Sequence, residues 1–300
     1  MPKFLLQTGT ETAFISSKCA ARLPRKKQAP KEREGTAMTT QAVAVITGGS
    51  NGIGAATARL FASRGYAIAI LDVNQERGEK LAAALSANGG AARFYACDVS
   101  DAKAVDAIAA RVEKDLGLAE VLVTSAGLIP NTESVMDMDL EAHDRMWRVN
   151  YHGTIHACRS FGRQMIACKR GAIVTLGSIN SLLPLPLPAY NPGKLAIARL
   201  TQLLAVELGR HGIRVNSVGP TYVMTETLQS RVDAGLRDLK KIMDVHALDT
   251  LPGPEDIALA IAFLCSAEAR TITGVLLPVD SGWHASVSYK TYAGGVPWKD

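Results

Sequence analysis

The 300-residue sequence contains no apolar run that approaches the ~18 consecutive residues of a membrane-spanning helix. It also lacks any C-x-x-C pair or other cysteine spacing typical of a metal site. The five cysteines are widely separated, at Cys19, Cys97, Cys158, Cys168 and Cys265. These absences argue against a helical membrane protein and a structural zinc module. They predict free thiols in a reducing compartment, which we take to be the cytoplasm.

Residues 38–300 have no net formal charge. The whole chain has a formal charge of +5, but residues 1–37 hold eight Lys/Arg and three Asp/Glu. The rest is balanced in charge, so we expect neither a nucleic-acid nor a membrane partner. Residues 1–37 show no apolar periodicity and are predicted to be a disordered basic extension. A targeting peptide or a nucleic-acid-binding arm is the alternative.

Residues 38–300 are predicted to form one folded domain. Short apolar runs predict strands at 42–47, 67–72, 92–97, 121–124, 172–177, 213–218 and 275–279. Several are apolar throughout, which is typical of parallel strands covered on both faces. Helical patterns lie at 53–65, 74–88, 101–115, 138–168, 190–211 and 254–267. The alternation predicts an α/β fold with a doubly wound parallel sheet of about seven strands and helices on both faces.

Two segments fall outside this alternation. Residues 221–252 follow a strand end and carry many charges, so they are predicted to be a lid over a ligand. A plain surface hairpin is the alternative. The tail 283–300 is too aromatic for a free end and is expected to bury its rings against a second subunit or its own. These rings belong to Trp283, Tyr289, Tyr292 and Trp298.

A glycine-rich turn joins the first predicted strand to the first helix. It reads Thr47-Gly48-Gly49-Ser50-Asn51-Gly52-Ile53-Gly54. Backbone amides at such a helix N-terminus wrap a pyrophosphate. We assign Gly48 to the tight turn, Gly52 to the close approach of the ligand and Gly54 to tight packing of helix on strand. A glycine-rich turn without a ligand is the alternative.

Acidic residues follow the second and third predicted strands. Asp72 is placed to accept hydrogen bonds from both hydroxyls of an adenosine ribose and to repel a 2′-phosphate, which favours NAD over NADP. Arg77 lies five residues further on and weakens that preference. Asp98 is a candidate acceptor for the adenine amino group, with Val99 against the ring. A helix N-cap is the alternative for both aspartates.

Tyr190 and Lys194 are four residues apart and share one helix face. The ammonium, together with the positive charge of a nicotinamide, is expected to lower the pKa of the phenol from about 10 and make it an acid/base group. Lys194 would also hold a ribose. Ser178, at the end of the fifth strand, faces the crevice and is predicted to bind a substrate oxygen. Asn150 either holds a proton-relay water or satisfies a neighbouring carbonyl.

Taken together, these residues resemble the short-chain dehydrogenase/reductase family from about Ala42 to Gly282. The resemblance implies a Rossmann fold with strand order 3-2-1-4-5-6-7 and a nicotinamide cofactor. It also implies a catalytic tetrad, formed here by Asn150, Ser178, Tyr190 and Lys194, and a homodimer or homotetramer. Further along the chain it implies contacts with the nicotinamide end, from Pro220, Val223 and Thr225.

The sequence departs from the family pattern at four places, one of which is the spacing from Ser178 to Tyr190, commonly one residue longer in the family. The family's Asn-Asn-Ala-Gly after strand four is Thr124-Ser125-Ala126-Gly127, so Ser125 replaces the Asn that braces sheet and cofactor. The family's Pro-Gly after strand six is Pro220-Thr221, and its terminal Asp-Gly-Gly is Asp280-Ser281-Gly282. None of these changes removes a catalytic group.

The sequence thus predicts an NAD-dependent oxidoreductase that interconverts a secondary alcohol and a ketone, with Tyr190 as the acid/base. An NADPH-dependent carbonyl reductase and a non-catalytic dinucleotide-binding regulator are the alternatives.

The proline-rich loop 182–188 is predicted to be an apolar wall of the substrate pocket, or else a packing surface. Candidate lid contacts are Tyr222, Met224, Gln229 and His246. No metal site is expected: His152 and His156 lack a carboxylate at ligand spacing. The predicted cofactor-binding residues are Gly48, Ser50, Asn51, Gly52, Ile53, Gly54, Asp72, Asp98, Val99, Ser125, Ala126, Gly127, Tyr190, Lys194, Pro220, Val223 and Thr225.

Overall fold

The computed structural model describes residues 41–130 and 132–298. A seven-stranded sheet is its centre, with every neighbouring pair parallel and the order β3-β2-β1-β4-β5-β6-β7. The strands are β1 (Val43–Thr47), β2 (Ala67–Asp72), β3 (Ala92–Ala96), β4 (Ala119–Thr124), β5 (Gly171–Leu176), β6 (Ile213–Pro220) and β7 (Leu276–Val279). The predicted fold class and strand order are confirmed. The predicted extension, residues 1–37, lies outside the described residues.

Helices cover both faces of this sheet because the strands alternate their side chains between two apolar layers. Val43 and Val45 point into one layer, and Ala44 and Ile46 point into the other. The helices are α1 (Gly52–Ser63), α2 (Gln75–Ala87), α3 (Ala102–Leu116), α4 (Leu140–Trp147), α5 (Gly153–Cys168), α6 (Tyr190–Gly209), α7 (Glu226–Asp233), α8 (Leu239–Asp244), α9 (Pro254–Cys265) and α10 (Trp283–Lys290).

The two layers draw on different helices. Helices α1, α2 and α9 supply the layer that contains Ala44 and Ile46, through residues such as Phe61, Leu81 and Ile261. Helices α3, α5 and α6 supply the other, through residues such as Val105 and Phe161. The strand order reverses between β1 and β4, so the carboxyl ends of the strands open a crevice there.

The predicted boundaries agree with the structure to within two or three residues, with one informative exception. The segment 138–168 is three consecutive pieces, because a π-helical turn at Arg148–His152 separates α4 from α5. Such turns insert one extra residue into a helix and are frequent at functional sites. The lid segment contains the short helices α7 and α8, and the tail forms α10.

Within the described ranges, no helix has the length and apolar character needed to cross a membrane. The same ranges contain no cluster of three or more His, Cys, Asp or Glu side chains arranged to hold a metal ion.

Candidate active site

A cleft of about 660 Å³ lies at the carboxyl ends of the central strands. It is lined by the glycine turn, the ends of β2, β4, β5 and β6, the start of α6 and part of the segment 221–252. Sixteen of the nineteen predicted site residues line it, and Ser50, Gly54 and Asn150 do not. Residues more than 100 positions apart in the sequence therefore meet in one cavity, as the motifs predicted.

The glycine turn is shaped by contacts that leave no room for side chains. Gly48 has a φ of 63°, and a Cβ there would lie 2.6 Å from the backbone of Ala126. A Cβ on Gly54 would lie 2.1 Å from the Gly48 carbonyl oxygen, so α1 begins directly against the turn. A Cβ on Gly52 would meet only Thr225, at 3.5 Å. The turn therefore leaves an open cradle at the start of α1, bordered by Asn51 and Ile53, which fits the phosphates of a dinucleotide.

Asp72 braces the glycine turn from the end of β2. Its Oδ2 accepts a hydrogen bond from the Ser50 amide at 3.1 Å, and its Oδ1 accepts one from the Asn74 amide at 3.0 Å. The N-cap alternative for Asp72 is wrong, because Asn74 caps α2. Each carboxylate oxygen keeps a further lone pair, so Asp72 retains acceptors for a ribose.

Asp98 and Val99 form the next part of the cleft. Asp98 Oδ1 accepts from the amide and the hydroxyl of Ser100, at 2.9 and 2.7 Å. The cap of α3 is Asp101, so the N-cap alternative for Asp98 is also wrong. The carbonyl of Val99 is bound by His156 Nδ1 at 2.9 Å, which gives that histidine a structural role.

Backbone and threonine contacts hold the segment in which the family asparagine is missing. The Ser125 amide donates to the Thr47 carbonyl at 3.1 Å, and the Ala126 amide donates to Thr47 Oγ1 at 3.3 Å. The short side chain of Ser125 is thus not needed to fasten β4 to β1. Ser125, Ala126 and Gly127 still line the cleft.

Asn150 lies in the π-helical turn and is 4% exposed. Its Oδ1 accepts from the Leu128 amide at 2.7 Å, and its Nδ2 donates to the Leu128 carbonyl at 3.1 Å. The Asn150 side chain thus satisfies the backbone of Leu128, which is one of its two predicted roles, and the proton-relay role stays a prediction. The segment after β4 is thereby fixed to the helix that carries Asn150.

Tyr190 and Lys194 lie together on α6 and face the cleft, as the four-residue spacing predicts. Lys194 Nζ is 5.3 Å from the centroid of the Tyr190 ring and donates to the Leu176 carbonyl at 2.6 Å. Burial raises the pKa of Tyr190 to about 12, and a hydrogen bond with Ser178 lowers it by less. Burial also lowers the pKa of Lys194 to about 8. In the protein alone, burial thus outweighs the hydrogen bond with Ser178. The predicted lowering of the phenol pKa, which includes the charge of a bound nicotinamide, stays a prediction.

A chain of three side-chain amide contacts leads to Ser178 and was not predicted from the sequence. Asn191 Nδ2 donates to the Leu183 carbonyl at 2.6 Å and to Asn180 Oδ1 at 3.1 Å. Asn180 Nδ2 then donates to Ser178 Oγ at 3.1 Å, and the Asn180 amide donates to the same oxygen at 3.2 Å. Asn180 and Asn191 are polar amide residues in an otherwise largely apolar stretch of sequence. That contrast is the sequence signal from which a structural role for them could have been predicted.

The direction of these bonds is determined by their first member. A backbone carbonyl only accepts hydrogen bonds, so the Leu183 carbonyl requires the Nδ2 end of the Asn191 amide to face it. Because Asn191 Nδ2 also donates to Asn180 Oδ1, the Nδ2 end of Asn180 is left to face Ser178. Both lone pairs of Ser178 Oγ then receive donors. The hydroxyl hydrogen of Ser178 is left free to donate toward Tyr190 and the cleft.

The segment 221–252 and the tail complete the cavity. Tyr222 lines it and stacks on Trp283, with ring centroids 5.6 Å apart. Trp283 is 7% exposed, so this tail ring is buried by its own chain, whereas Tyr289, Tyr292 and Trp298 are at least half exposed. Met224, Gln229 and His246 are absent from the cavity lining. The loop 182–188 contributes Leu185, Pro186 and Leu187 to the lining, as its apolar composition predicted.

Comparison with known proteins identifies dehydrogenases and reductases to which this chain is similar. The family model described as enoyl-(acyl carrier protein) reductase matches residues 48–284. A D-threitol dehydrogenase from Mycolicibacterium smegmatis is 37% identical over 243 residues, which is 80% of this chain and 92% of the relative.

Two solved structures share the fold and carry nicotinamide cofactors. An NAD+-bound xylitol dehydrogenase has a TM-score of 0.76 and 30% identity, covering 80% of this chain and 98% of its own. ElxO with NADP bound has a TM-score of 0.77 and 30% identity, covering 82% and 99%. Proteins similar to this chain thus bind either dinucleotide.

Proposed function

The chain belongs to the short-chain dehydrogenase/reductase family, and on that premise we propose which of its residues carry out the reaction and which cofactor it prefers. The protein is an oxidoreductase that transfers a hydride between an alcohol or ketone substrate and a nicotinamide dinucleotide. When bound, the cofactor supplies the hydride donor or acceptor. The protein supplies binding, orientation and proton transfer.

Tyr190 is the acid/base group of this proposal. In alcohol oxidation the phenolate oxygen takes the hydroxyl proton of the substrate, and in ketone reduction the phenol returns it. Lys194 holds positive charge beside the ring and binds ribose. Ser178 donates its free hydroxyl hydrogen to the substrate oxygen, and Asn150 fixes the segment that borders the cleft. The observation that carries the proposal is the convergence of Ser178, Tyr190 and Lys194 in the cleft that also contains the glycine cradle.

The proposed cofactor is NAD. Asp72 is the acidic group beside the cradle and would repel a 2′-phosphate. Arg77 is the cation that weakened the predicted preference for NAD. It pairs with Glu226 of the predicted lid, and its Nη1 lies 3.4 Å from Glu226 Oε2. The same contact ties α2 to α7, which supports the proposal that residues 221–252 form a lid over the cleft.

Replacement of the phenol tests the catalytic assignment. Tyr190→Phe should lower kcat for secondary-alcohol oxidation by about 10²- to 10⁴-fold, because one proton-transfer group is lost. The dissociation constant for NAD should stay unchanged, since the ring is kept. If the Tyr190→Phe variant retains most of its turnover, the assignment of Tyr190 as the acid/base group is wrong.

A further inference from the structure

Positive and negative side chains are unevenly distributed along the cleft. The acidic lining residues are Asp72 and Asp98, at the ends of β2 and β3. The basic lining residues are Arg145, Arg148, Lys194, Arg231 and Arg237. Apart from Lys194, these cations have no role in the proposed chemistry.

Arg231 and Arg237 converge on a single backbone oxygen. Arg231 donates to the carbonyls of Pro130 and Ile129, at 3.1 and 3.3 Å. Arg237 donates to the same Pro130 carbonyl at 3.5 Å. Two guanidinium groups that share one neutral acceptor repel each other, and an anion between them would remove that cost.

Three of the five acidic residues in the segment 221–252 are engaged by other groups. Glu226 pairs with Arg77, Asp233 accepts from the Gln229 amide at 2.8 Å, and Asp238 caps α8. Within 41–130 and 132–298, no carboxylate lies within ion-pair distance of Arg231 or Arg237.

Donor groups remain on both guanidinium groups. Each makes two hydrogen bonds within the described chain, Arg237 using the Leu236 carbonyl as its second acceptor. A guanidinium has five N–H groups. The pair therefore has both the charge and the unused donors that an oxyanion requires.

The position of the pair relates it to the substrate rather than to the glycine cradle. The chain that carries Ile129 and Pro130 continues to Glu133, whose amide donates to the Pro186 carbonyl at 3.4 Å. Pro186 belongs to the apolar wall that lies between Ser178 and Tyr190 in the sequence. The arginine pair thus adjoins the end of the cleft where the substrate body would lie.

We propose that Arg231 and Arg237 bind an oxyanion of the substrate, so that the enzyme acts on alcohols or ketones that carry a carboxylate or a phosphate. The proposal rests on the proposed function and names its substrate class. The reacting carbon faces Ser178 and Tyr190, the apolar body lies against the 182–188 loop, and the anionic group lies between the two guanidinium groups.

Binding of matched ligands to the NAD-loaded protein tests this without turnover. The probes are cyclohexanecarboxylate, cyclohexyl phosphate and the neutral cyclohexanecarboxamide, titrated calorimetrically at fixed ionic strength. At least one anion should bind tenfold or more tightly than the amide, and the tighter one identifies the oxyanion. Arg231→Gln and Arg237→Gln should each reduce this preference several-fold, whereas Arg231→Lys should retain part of it.

Lys240→Gln is the matched control, because Lys240 is an exposed lid cation outside the cavity lining. It should leave the preference unchanged. Equal affinity for anions and amide, no binding of either anion, or a preference that both arginine variants keep would overturn the proposal. Weaker NAD binding in the arginine variants with an intact anion preference would assign them to the cofactor and overturn it too. Any of these results leaves the Tyr190→Phe test of the proposed function unaffected.

Discussion

At the scale of single residues, the hydrogen-bond direction at Ser178 has a consequence for catalysis. Asn180 donates twice to Ser178 Oγ, through its amide and its Nδ2. A hydroxyl whose lone pairs are both occupied is a donor only. Asn180 is therefore a positioning residue, which acts on the substrate through Ser178.

Two substitutions of Asn180 separate this role from a packing role. Asn180→Ala should lower kcat about three- to tenfold, the range for loss of one net hydrogen bond. Asn180→Asp should be worse, although it is nearly isosteric, because a carboxylate draws the Ser178 hydrogen away from the substrate. Steady-state kinetics would show the loss mainly in kcat. If Asn180→Asp is tolerated better than Asn180→Ala, only shape matters at this position.

The pKa values of Tyr190 and Lys194 predict different pH dependences for the two reaction directions. Burial raises the pKa of Tyr190 to about 12, so the phenol is protonated at neutral pH. Oxidation needs the phenolate and should accelerate as pH rises from 6 to 8, whereas reduction needs the phenol and should stay level there. Lys194, with a pKa of about 8, loses its charge above that value, which should flatten the oxidation curve and depress reduction.

Profiles of kcat/KM in both directions, at saturating cofactor, would check this. Tyr190→Phe is the control and should remove the rise with pH from whatever oxidation remains. Oxidation that does not change between pH 6 and 8 would show that another group takes the proton.

At the scale of secondary-structure elements, the strands and the main helices could be read from the sequence. The uniformly apolar β1 and β2 mark strands buried on both faces, and their alternate residues enter the two layers found in the structure. Residues that end a strand, such as Asp72 and Ser178, could be placed in the crevice because parallel strands share one direction.

The features that were missed depend on contacts between distant parts of the chain. The π-helical turn has no signature in hydrophobic periodicity, because Arg148–His152 continues the pattern of both flanking helices. The lid helices α7 and α8 are too short for periodicity to identify. The partners of Arg231, Ile129 and Pro130, lie about 100 residues away, and no local pattern specifies such a pairing.

Arg214 in β6 lies within residues 48–284, which the family model matches, yet its role is structural. Its guanidinium donates to the carbonyls of Leu264, Ser266 and Ile272. The first two carbonyls lie at the end of α9, where a helix leaves acceptors unsatisfied. The arginine thus fastens the end of α9 to β6.

At the scale of the whole molecule, the cleft joins parts of the chain from β1 to α10. Its lining runs from Gly48 in the first turn to Trp283 at the start of the last helix. A ligand that fills it contacts both halves of the sheet and should stabilise the folded chain as a unit. The predicted homodimer or homotetramer is a separate matter and stays a prediction.

Thermal unfolding with each dinucleotide uses this coupling to test the proposed cofactor preference. NAD at a hundred times its dissociation constant should stabilise the fold by about 2.7 kcal/mol, which raises the midpoint by roughly 5 °C or more. NADP at the same concentration should raise it less, because Asp72 faces the additional phosphate. Asp72→Ala should reduce the shift with NAD and increase the shift with NADP, since it removes both the ribose acceptor and the repulsion. A larger shift with NADP in the unsubstituted protein would reverse the assignment, and the carboxylate would then serve only to hold Ser50 and Asn74 in the glycine turn.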